Sequence, residues 1–296
     1  MITKTAMITI CGRPNVGKST LTNALVGEKI AIVSDKPQTT RNRITAIVNR
    51  GGTQFVLMDT PGFHKPRNRL GDYMMNVVKD SVAAVDAVML LVEPTDKIGP
   101  QERELVNKIK STGAKSVLVI NKIDTVDKPA LLPVIAAYSA LHGFDAVVPI
   151  SARTGEGLPE LMDELEKFAE EGPQLFPDDM ITDQPERQIC AELLREKLLA
   201  CLDKEVPHGT AVEISRFHER EDGLVEIDAT IYCEKESHKG IIIGKHGAML
   251  KKIGELARTD MEEFLDAKVF LQTWVKVKEN WRDSVSQLRN FGFTEE

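Results

Sequence analysis

Apolar β-like runs alternate with helical periodicity through the first half of the chain. Thr5 to Cys11 is apolar and β-branched with few charges, the mark of a buried strand. A glycine-containing turn and a helix-like run, Thr20 to Val26, follow it. Ile44 to Arg50 and Thr53 to Met58 flank Gly51-Gly52 and predict a hairpin. Gly71 to Ala84 is helical by pattern, and Val85 to Val92 is a near-continuous apolar strand of the kind covered on both faces. Gln101 to Lys110 predicts an amphipathic helix, Ser116 to Ile120 and Asp145 to Ile150 two more strands, and Glu156 to Ala169 a closing amphipathic helix. Such alternation predicts a doubly wound α/β domain.

The pattern breaks at Glu170 to Asp179, where proline, glycine and acid cluster as at a boundary. Beyond it, Glu186 to Leu202 reads as a helix with Ile189, Leu193, Leu194 and Leu198 on its apolar side. Thr210 to Arg216 and Leu224 to Cys233 alternate as strands around a charged turn, and Ala248 to Phe264 is helical. In Lys268 to Lys278, Val269, Leu271, Thr273, Val275 and Val277 share one strand face. Phe270 and Trp274 lie on the other, either to stack on bases or to pack under the next helix, the commoner outcome for aromatics. That next helix is predicted over Asn280 to Leu288, with Trp281, Val285 and Leu288 at i, i+4, i+7. The division expected is a domain over 1–170, a linker over 171–185 and a second domain over 186–296.

At 296 residues the chain has room for two domains, and 42% apolar with 28% charged residues is the composition of a soluble globular protein. A net charge of −7 argues against a uniformly basic nucleic-acid binder, so charge has to be read by region. Four scattered cysteines without a C-x-x-C pair favour buried free thiols in a reducing compartment over zinc or disulfides. No apolar run reaches membrane-span length and the first residues do not form a signal peptide, so the cytoplasm is the expected location.

The chemistry begins at Gly12-Arg13-Pro14-Asn15-Val16-Gly17-Lys18-Ser19, which matches G-x-x-x-x-G-K-[ST] between a strand and a helix. Backbone N–H groups of such a loop turn inward around phosphate, helped by the helix N-terminus. Lys18 is expected to reach the outer phosphates and Ser19 to ligate Mg²⁺. Downstream, Lys36 to Arg41 is a polar loop carrying Thr39 and Thr40. One of these hydroxyls could reach Mg²⁺ only when a γ-phosphate is present, making the loop a switch. Asp59-Thr60-Pro61-Gly62 at a strand end suits the Walker-B role for Asp59, with the Gly62 N–H near the γ-phosphate. His64 to Arg69 would form a second switch.

Asn121-Lys122-Ile123-Asp124 decides the base. A carboxylate at Asp124 accepts from N1–H and N2–H₂ of guanine, a donor pair that adenine lacks. Asn121 should orient the loop and meet the base edge, and the Lys122 stem can lie over the ring. Ser151-Ala152 fits a backbone N–H contact to the guanine oxygen. In the second half, Gly244-Lys245-His246-Gly247 is a G-x-x-G loop between two helices, the clamp that KH modules close on single-stranded RNA backbone. Ser237 to Ile253 holds four lysines, two histidines and no acid, a local basic patch that the global charge conceals. Lys239, Ile243, Gly244, Lys245, His246, Gly247 and Lys251 are the expected RNA contacts.

These motifs, with Pro37-Gln38-Thr39-Thr40-Arg41 between the first two, resemble the Era family of bacterial GTPases over nearly the whole chain. The resemblance implies a P-loop GTPase domain followed by an α+β type II KH domain. It implies a GTP/GDP switch that binds the 3′ end of 16S rRNA, works in 30S subunit maturation, and associates peripherally with the inner membrane; a monomer is expected. Phe63 stands where Ras-like enzymes carry a water-orienting glutamine, so hydrolysis is expected to be slow without an external activator. Lys18, Thr40 and Gly62 are the expected catalytic groups, and Ser19, Thr40 and Asp59 the Mg²⁺ ligands. Asn15 matches the position that helps bind K⁺ in potassium-dependent relatives. Two other readings stand beside this one. An RNA-binding chaperone with vestigial hydrolysis is separated by turnover with and without RNA. A P-loop ATPase is disfavoured by Asp124.

Overall fold

The computed structural model describes residues 2–83 and 85–293, so the predicted helix end at Ala84 lies outside the described residues. By compactness the chain forms two units. The first holds the residues up to Ala31, Thr40–Lys65 and Met74–Asp183; the second holds Ile32–Thr39, Pro66–Tyr73 and the residues from Gln184 onward.

In chain order the first half contains β1 (Lys4–Gly12), α1 (Lys18–Val26), β2 (Ile44–Arg50), β3 (Thr53–Asp59), α2 (Arg69–Ala83), β4 (Ala87–Val92), α3 (Pro100–Thr112), β5 (Lys115–Ile120), α4 (Leu131–Ser139), β6 (Ala146–Pro149), α5 (Leu158–Glu166) and β7 (Glu170–Glu171). The sheet runs β2-β3-β1-β4-β5-β6, with β7 antiparallel to the start of β1. Only β2 along that path is antiparallel to its neighbour, as the Gly51-Gly52 hairpin requires. The remaining strands are parallel and nearly all apolar because helices cover both sides. Ile8, Ile10, Leu21, Phe55, Leu57, Leu91, Val119 and Ile150 form the core between them. Strand β1 lies between β3 and β4, so the strand order runs outward from it in both directions. Ligands sit at such a switch point, beyond the carboxyl ends of the strands.

Two expectations change here. Helix α4 was not foreseen, because Pro129 and Pro133 punctuate its sequence; Leu131, Val134 and Tyr138 nevertheless bury one side. The stretch expected as a linker is a strap on the first unit. Leu175 and Phe176 donate their N–H groups to Oε1 of the fully buried Gln54 at 2.9 Å each, and Gln54 Nε2 donates back to the Phe176 carbonyl. Ile47 N–H donates to the Ile181 carbonyl at 2.9 Å and Thr182 Oγ1 to the Thr45 carbonyl at 2.7 Å. Proline and glycine mark irregular backbone here, but its polar groups are paired as buried backbone demands.

The second unit contains α6 (Glu186–Cys201), β8 (Ala211–Glu219), β9 (Val225–Cys233), α7 (Glu236–Ile243), α8 (Ala248–Leu265), β10 (Val269–Val277) and α9 (Val285–Asn290). Its sheet runs β10-β9-β8, with β10 parallel and β8 antiparallel to β9. This α-β-β-α-α-β order is that of a type II KH domain. Leu194, Leu198, Ile227, Ile231, Ile242, Ile253 and Met261 fill the space between helices and sheet. Ile32, ahead of the polar loop, is 2% exposed in this same core, and Val33 N–H donates to Glu196 Oε1 at 2.9 Å.

The tail is not one helix. A 3₁₀ turn at Trp281–Asp283 breaks at Ser284 before α9 begins. Trp281 turns inward instead, fully buried, its Nε1 donating to the Gly209 carbonyl at 3.0 Å. Phe270 and Trp274 do not pack under that segment; they stay 50% and 44% exposed.

Candidate functional site

The P-loop joins the end of β1 to the start of α1. Asn15 takes a left-handed conformation (φ 65°), which turns successive N–H groups toward one point. Lys18 is buried and its Nζ donates to the carbonyls of Arg13 (3.0 Å) and Gly12 (3.3 Å). Burial lowers its pKa, against the pull of Asp59. Ser19 Oγ donates to Asp59 Oδ2 at 2.7 Å and lies 2.9 Å from Thr40 Oγ1. Helix α1, the loop before β2 and the end of β3 thus bring three oxygen side chains to one point. Burial pushes the Asp59 carboxyl up to about 6, opposed first by Lys18 and then by the Ser19 hydroxyl. Its Oδ1 is buried without a hydrogen-bond partner. An all-oxygen donor set with an unpaired carboxylate oxygen fits Mg²⁺.

Thr39 and Thr40 separate cleanly. The Thr39 hydroxyl donates to the Lys36 carbonyl at 2.6 Å in a local turn, and its carbonyl accepts from Arg195. Only Thr40 joins Ser19 and Asp59. Gly62 owes its identity to packing, since a Cβ there would sit 2.8 Å from Pro14 Cα. Thr60 Oγ1 donates to the Ile10 carbonyl (2.8 Å) and so ties β3 to β1. Phe63 is 7% exposed, and its N–H donates to the Gly12 carbonyl at 3.0 Å. No polar side chain is offered from that position.

On the base side, Asn121 is a clamp. Its Nδ2 donates to the Val16 carbonyl (2.8 Å) and its Oδ1 accepts from Ala152 N–H (2.9 Å). Asn121 thus ties the P-loop to the Ser151-Ala152 turn, beside the positions expected to meet the base. Lys122, itself left-handed (φ 65°), donates to the Asn15 carbonyl at 2.7 Å and to Glu93, and Ile123 N–H to the Ile150 carbonyl at 3.2 Å. Asp124 accepts from Ser151 Oγ at 2.7 Å and from Arg153 Nη2 at 2.5 Å. The Ser151 bond, with Arg153 adding to it, holds its carboxyl below the usual range.

In the second unit, α7 ends at Gly244 and α8 starts after Gly247. Gly244 has φ +72°, and a Cβ would meet Met249 Cβ at 2.7 Å, so the tight turn excludes a side chain. Lys245, His246, Lys251 and Lys252 are exposed around it, while Lys239 and Ile243 are half-buried. A cavity of about 540 Å³ opens beside Gly247, Lys251 and Arg258 on one side and Val269, Phe270 and Thr273 on the other.

Residues 7–122 match the family described as 50S ribosome-binding GTPase, and residues 205–282 match the KH domain. GTPase Era of Ruminiclostridium cellulolyticum is 50% identical over 290 residues, which cover 98% of this chain and 97% of that one. The chain belongs to the Era GTPase family. GTPase Era of Geobacter metallireducens is likewise 50% identical, over 98% of both chains. A crystal structure of Era in complex with MgGDPNP and nucleotides 1506–1542 of 16S ribosomal RNA matches with TM-score 0.95 at 38% identity, over 99% of this chain and 100% of that one. The same figures describe an Aquifex aeolicus Era variant bound to GDP·AlF₄⁻.

Three residues of this Era-family site were not foreseen. Glu102 and Glu93 take the Arg13 guanidinium, so Arg13 serves the loop through its carbonyl, and Arg153 caps Asp124. Glu93 follows directly on β4, a strand-end acid that sequence could have flagged. The cysteines are free, with Cys11, Cys190 and Cys233 buried and Cys201 half-buried. Burial pushes the Cys11 and Cys190 thiols up to about 12, which leaves them unreactive at neutral pH.

Proposed function

We propose that this protein is a nucleotide-controlled, RNA-binding GTPase of small-subunit assembly. It binds GTP or GDP with Mg²⁺ and hydrolyses GTP slowly unless stimulated. It grips single-stranded 16S rRNA near the 3′ end and acts in 16S rRNA processing and 30S subunit biogenesis in the cytoplasm. The observation that carries the nucleotide half is the meeting of Ser19, Thr40 and Asp59 beside Lys18. In this reading those three hold the metal, which neutralises charge developing on the phosphates. Lys18 leaves the loop carbonyls for the outer phosphate oxygens, and the Gly62 N–H faces the γ-phosphate. Asp124 exchanges Arg153 for the guanine donor pair, and Asn121 keeps the two loops in register.

The buried Phe63 supports slow intrinsic turnover. We include a K⁺ ion near Asn15 in the reading; equal turnover in K⁺ and Na⁺ buffers removes it. The RNA half rests on Gly244 to Gly247 with Lys239, Ile243 and Lys251, and on the Era structure whose partner is 16S rRNA. No helix among the described residues is long and apolar enough to cross a membrane. Peripheral inner-membrane association belongs to the proposal, with vesicle co-flotation as its test.

The deciding experiment measures binding of a short RNA copying the 16S 3′ end in GDP, non-hydrolysable GTP analogue and nucleotide-free states. A scrambled control is run at matched salt. Tighter binding with the analogue, lost on scrambling, is expected. Equal binding in all states removes nucleotide control.

A further inference from the structure

Three neighbouring strands of the first unit end at the nucleotide site, and the middle one runs straight into an acid. β4 lies between β1 and β5. Leu91 stands in register with Gly12, where the P-loop begins, and Val92 with Ile120, just before the base loop. The next residue, Glu93, therefore leaves the sheet between the two loops. It takes one cation from each. Its Oε1 accepts from Lys122 Nζ, and its Oε2 lies 3.6 Å from Arg13 Nη2. The Nε side of Arg13 is paired with Glu102, a buried carboxylate in the first turn of α3.

Lys122 Nζ also donates to the Asn15 carbonyl at 2.7 Å. The lysine stem thus runs from the base loop to the phosphate loop, pinned at its tip by one carboxylate and one carbonyl. Its backbone holds φ 65°, a left-handed conformation that persists only where surrounding contacts enforce it. Charge makes the placement of Glu93 informative. A nucleoside diphosphate is a polyanion, and an acid beside its loop works against its capture. Two acids stand here, Glu93 and Glu102, matched by two cations, Arg13 and Lys122. What such an acid can add to nucleotide binding is position, since its charge points the wrong way.

We infer that Glu93 is a positioning residue for guanine-nucleotide binding, which holds the tip of Lys122 against the phosphate loop so that the lysine stem is preset over the base plane. This rests on the reading that the Lys122 stem covers the base ring. A stem already ordered before binding loses less side-chain freedom when the nucleotide arrives, and the gain is read mainly in slower release. The test uses the full chain, freed of nucleotide, with GDP and with inosine diphosphate, which lacks the 2-amino group of guanine. Wild type, Glu93→Gln, Glu93→Asp, Lys122→Met and the double variant Glu93→Gln/Lys122→Met are compared by calorimetric titration and by release of a fluorescent GDP.

Glu93→Gln should weaken GDP by about fivefold or more, the order of cost of fixing one long side chain, and the release rate should carry most of it. Inosine diphosphate should lose the same factor, because Asp124 still reads the base; the ratio of the two affinities stays within about twofold of wild type. Once Lys122 is Met, removing Glu93 as well should cost nothing further. Glu93→Asp keeps the charge on a stem one methylene shorter, so it should fall between wild type and Glu93→Gln. The sign of the first effect is decisive. If Glu93 acts by charge alone, Glu93→Gln binds the polyanion more tightly and Glu93→Asp matches wild type, and the inference is overturned. Losses of the two single variants that add in full in the double variant, or a changed ratio of GDP to inosine diphosphate, overturn it as well, since Glu93 would then act elsewhere than through Lys122. Unchanged GDP binding by Lys122→Met would instead overturn the reading of Lys122 itself.

Discussion

The two candidate sites are built in opposite ways. In the first unit the polar side chains around the P-loop are largely engaged already, Asp59 Oδ1 being the exception. Lys18 sits on loop carbonyls, Ser19 on Asp59, and Asn121 between Val16 and Ala152. In the second unit Lys245, His246 and Lys251 stand in solvent around two glycines. A prebuilt, buried cradle suits one small ligand held in one pose, because an incorrect ligand leaves buried groups unpaired. An exposed basic turn suits a polymer, whose affinity comes from many weak, salt-sensitive contacts. Selectivity is thus concentrated in the first unit and spread out in the second.

The contrast can be broken at several points. Asp124→Asn should lower GDP affinity by on the order of 10²- to 10⁴-fold, since two charge-assisted bonds go; nucleotide titration with guanine and adenine diphosphates measures it. An unchanged preference would mean that the base is read elsewhere. Lys245→Asp/His246→Asp should weaken 3′-end RNA binding by about 10- to 100-fold and flatten the salt dependence by roughly one counterion per lost phosphate contact. A loss independent of salt would show that the loop acts by shape alone.

Thr40→Ala and Thr39→Ala sharpen the picture within the first site. The former should cost about tenfold in Mg²⁺-dependent binding of a GTP analogue, the latter less than threefold. Equal losses would mean that the switch loop acts as a block. Arg153→Ala should have the smallest effect, a tightening of GDP binding of about twofold or less. It removes an exposed competitor for Asp124, and exposed ion pairs contribute little; isothermal titration of the variant and wild type resolves it.

What was legible in the sequence follows the same divide. Strands buried on both faces write themselves as apolar runs, and β1, β3, β4 and β5 lie within a few residues of their predicted bounds. The phosphate and base motifs were legible because backbone conformation, not only side-chain chemistry, restricts the residues at those positions. The partners of those motifs were not. That Asn121 bridges Val16 and Ala152, and which threonine turns inward, is set by distances between loops far apart in sequence. Trp281 and Trp274 have the same side chain seven residues apart. One is fully buried and the other 44% exposed, a difference fixed by where the tail folds back. The strap misled for a related reason. Its composition describes irregular backbone truthfully but says nothing of Gln54, more than a hundred positions earlier, which fixes it.

That strap redraws where the molecule can be cut. A recombinant first half ending at Ala169 would strip Gln54 of its strap partners, leaving it Asn49 alone, and leave Ile47 N–H and the Thr45 carbonyl without theirs, inside an otherwise finished fold. Each buried group left bare costs about 1–3 kcal/mol, a large share of the stability of an ordinary domain. A fragment ending at Asp183 keeps every one of those bonds. The shorter fragment should therefore melt lower by several degrees or fail to express. In practical terms, fourteen residues with the composition of a tether are the last piece of the domain they follow.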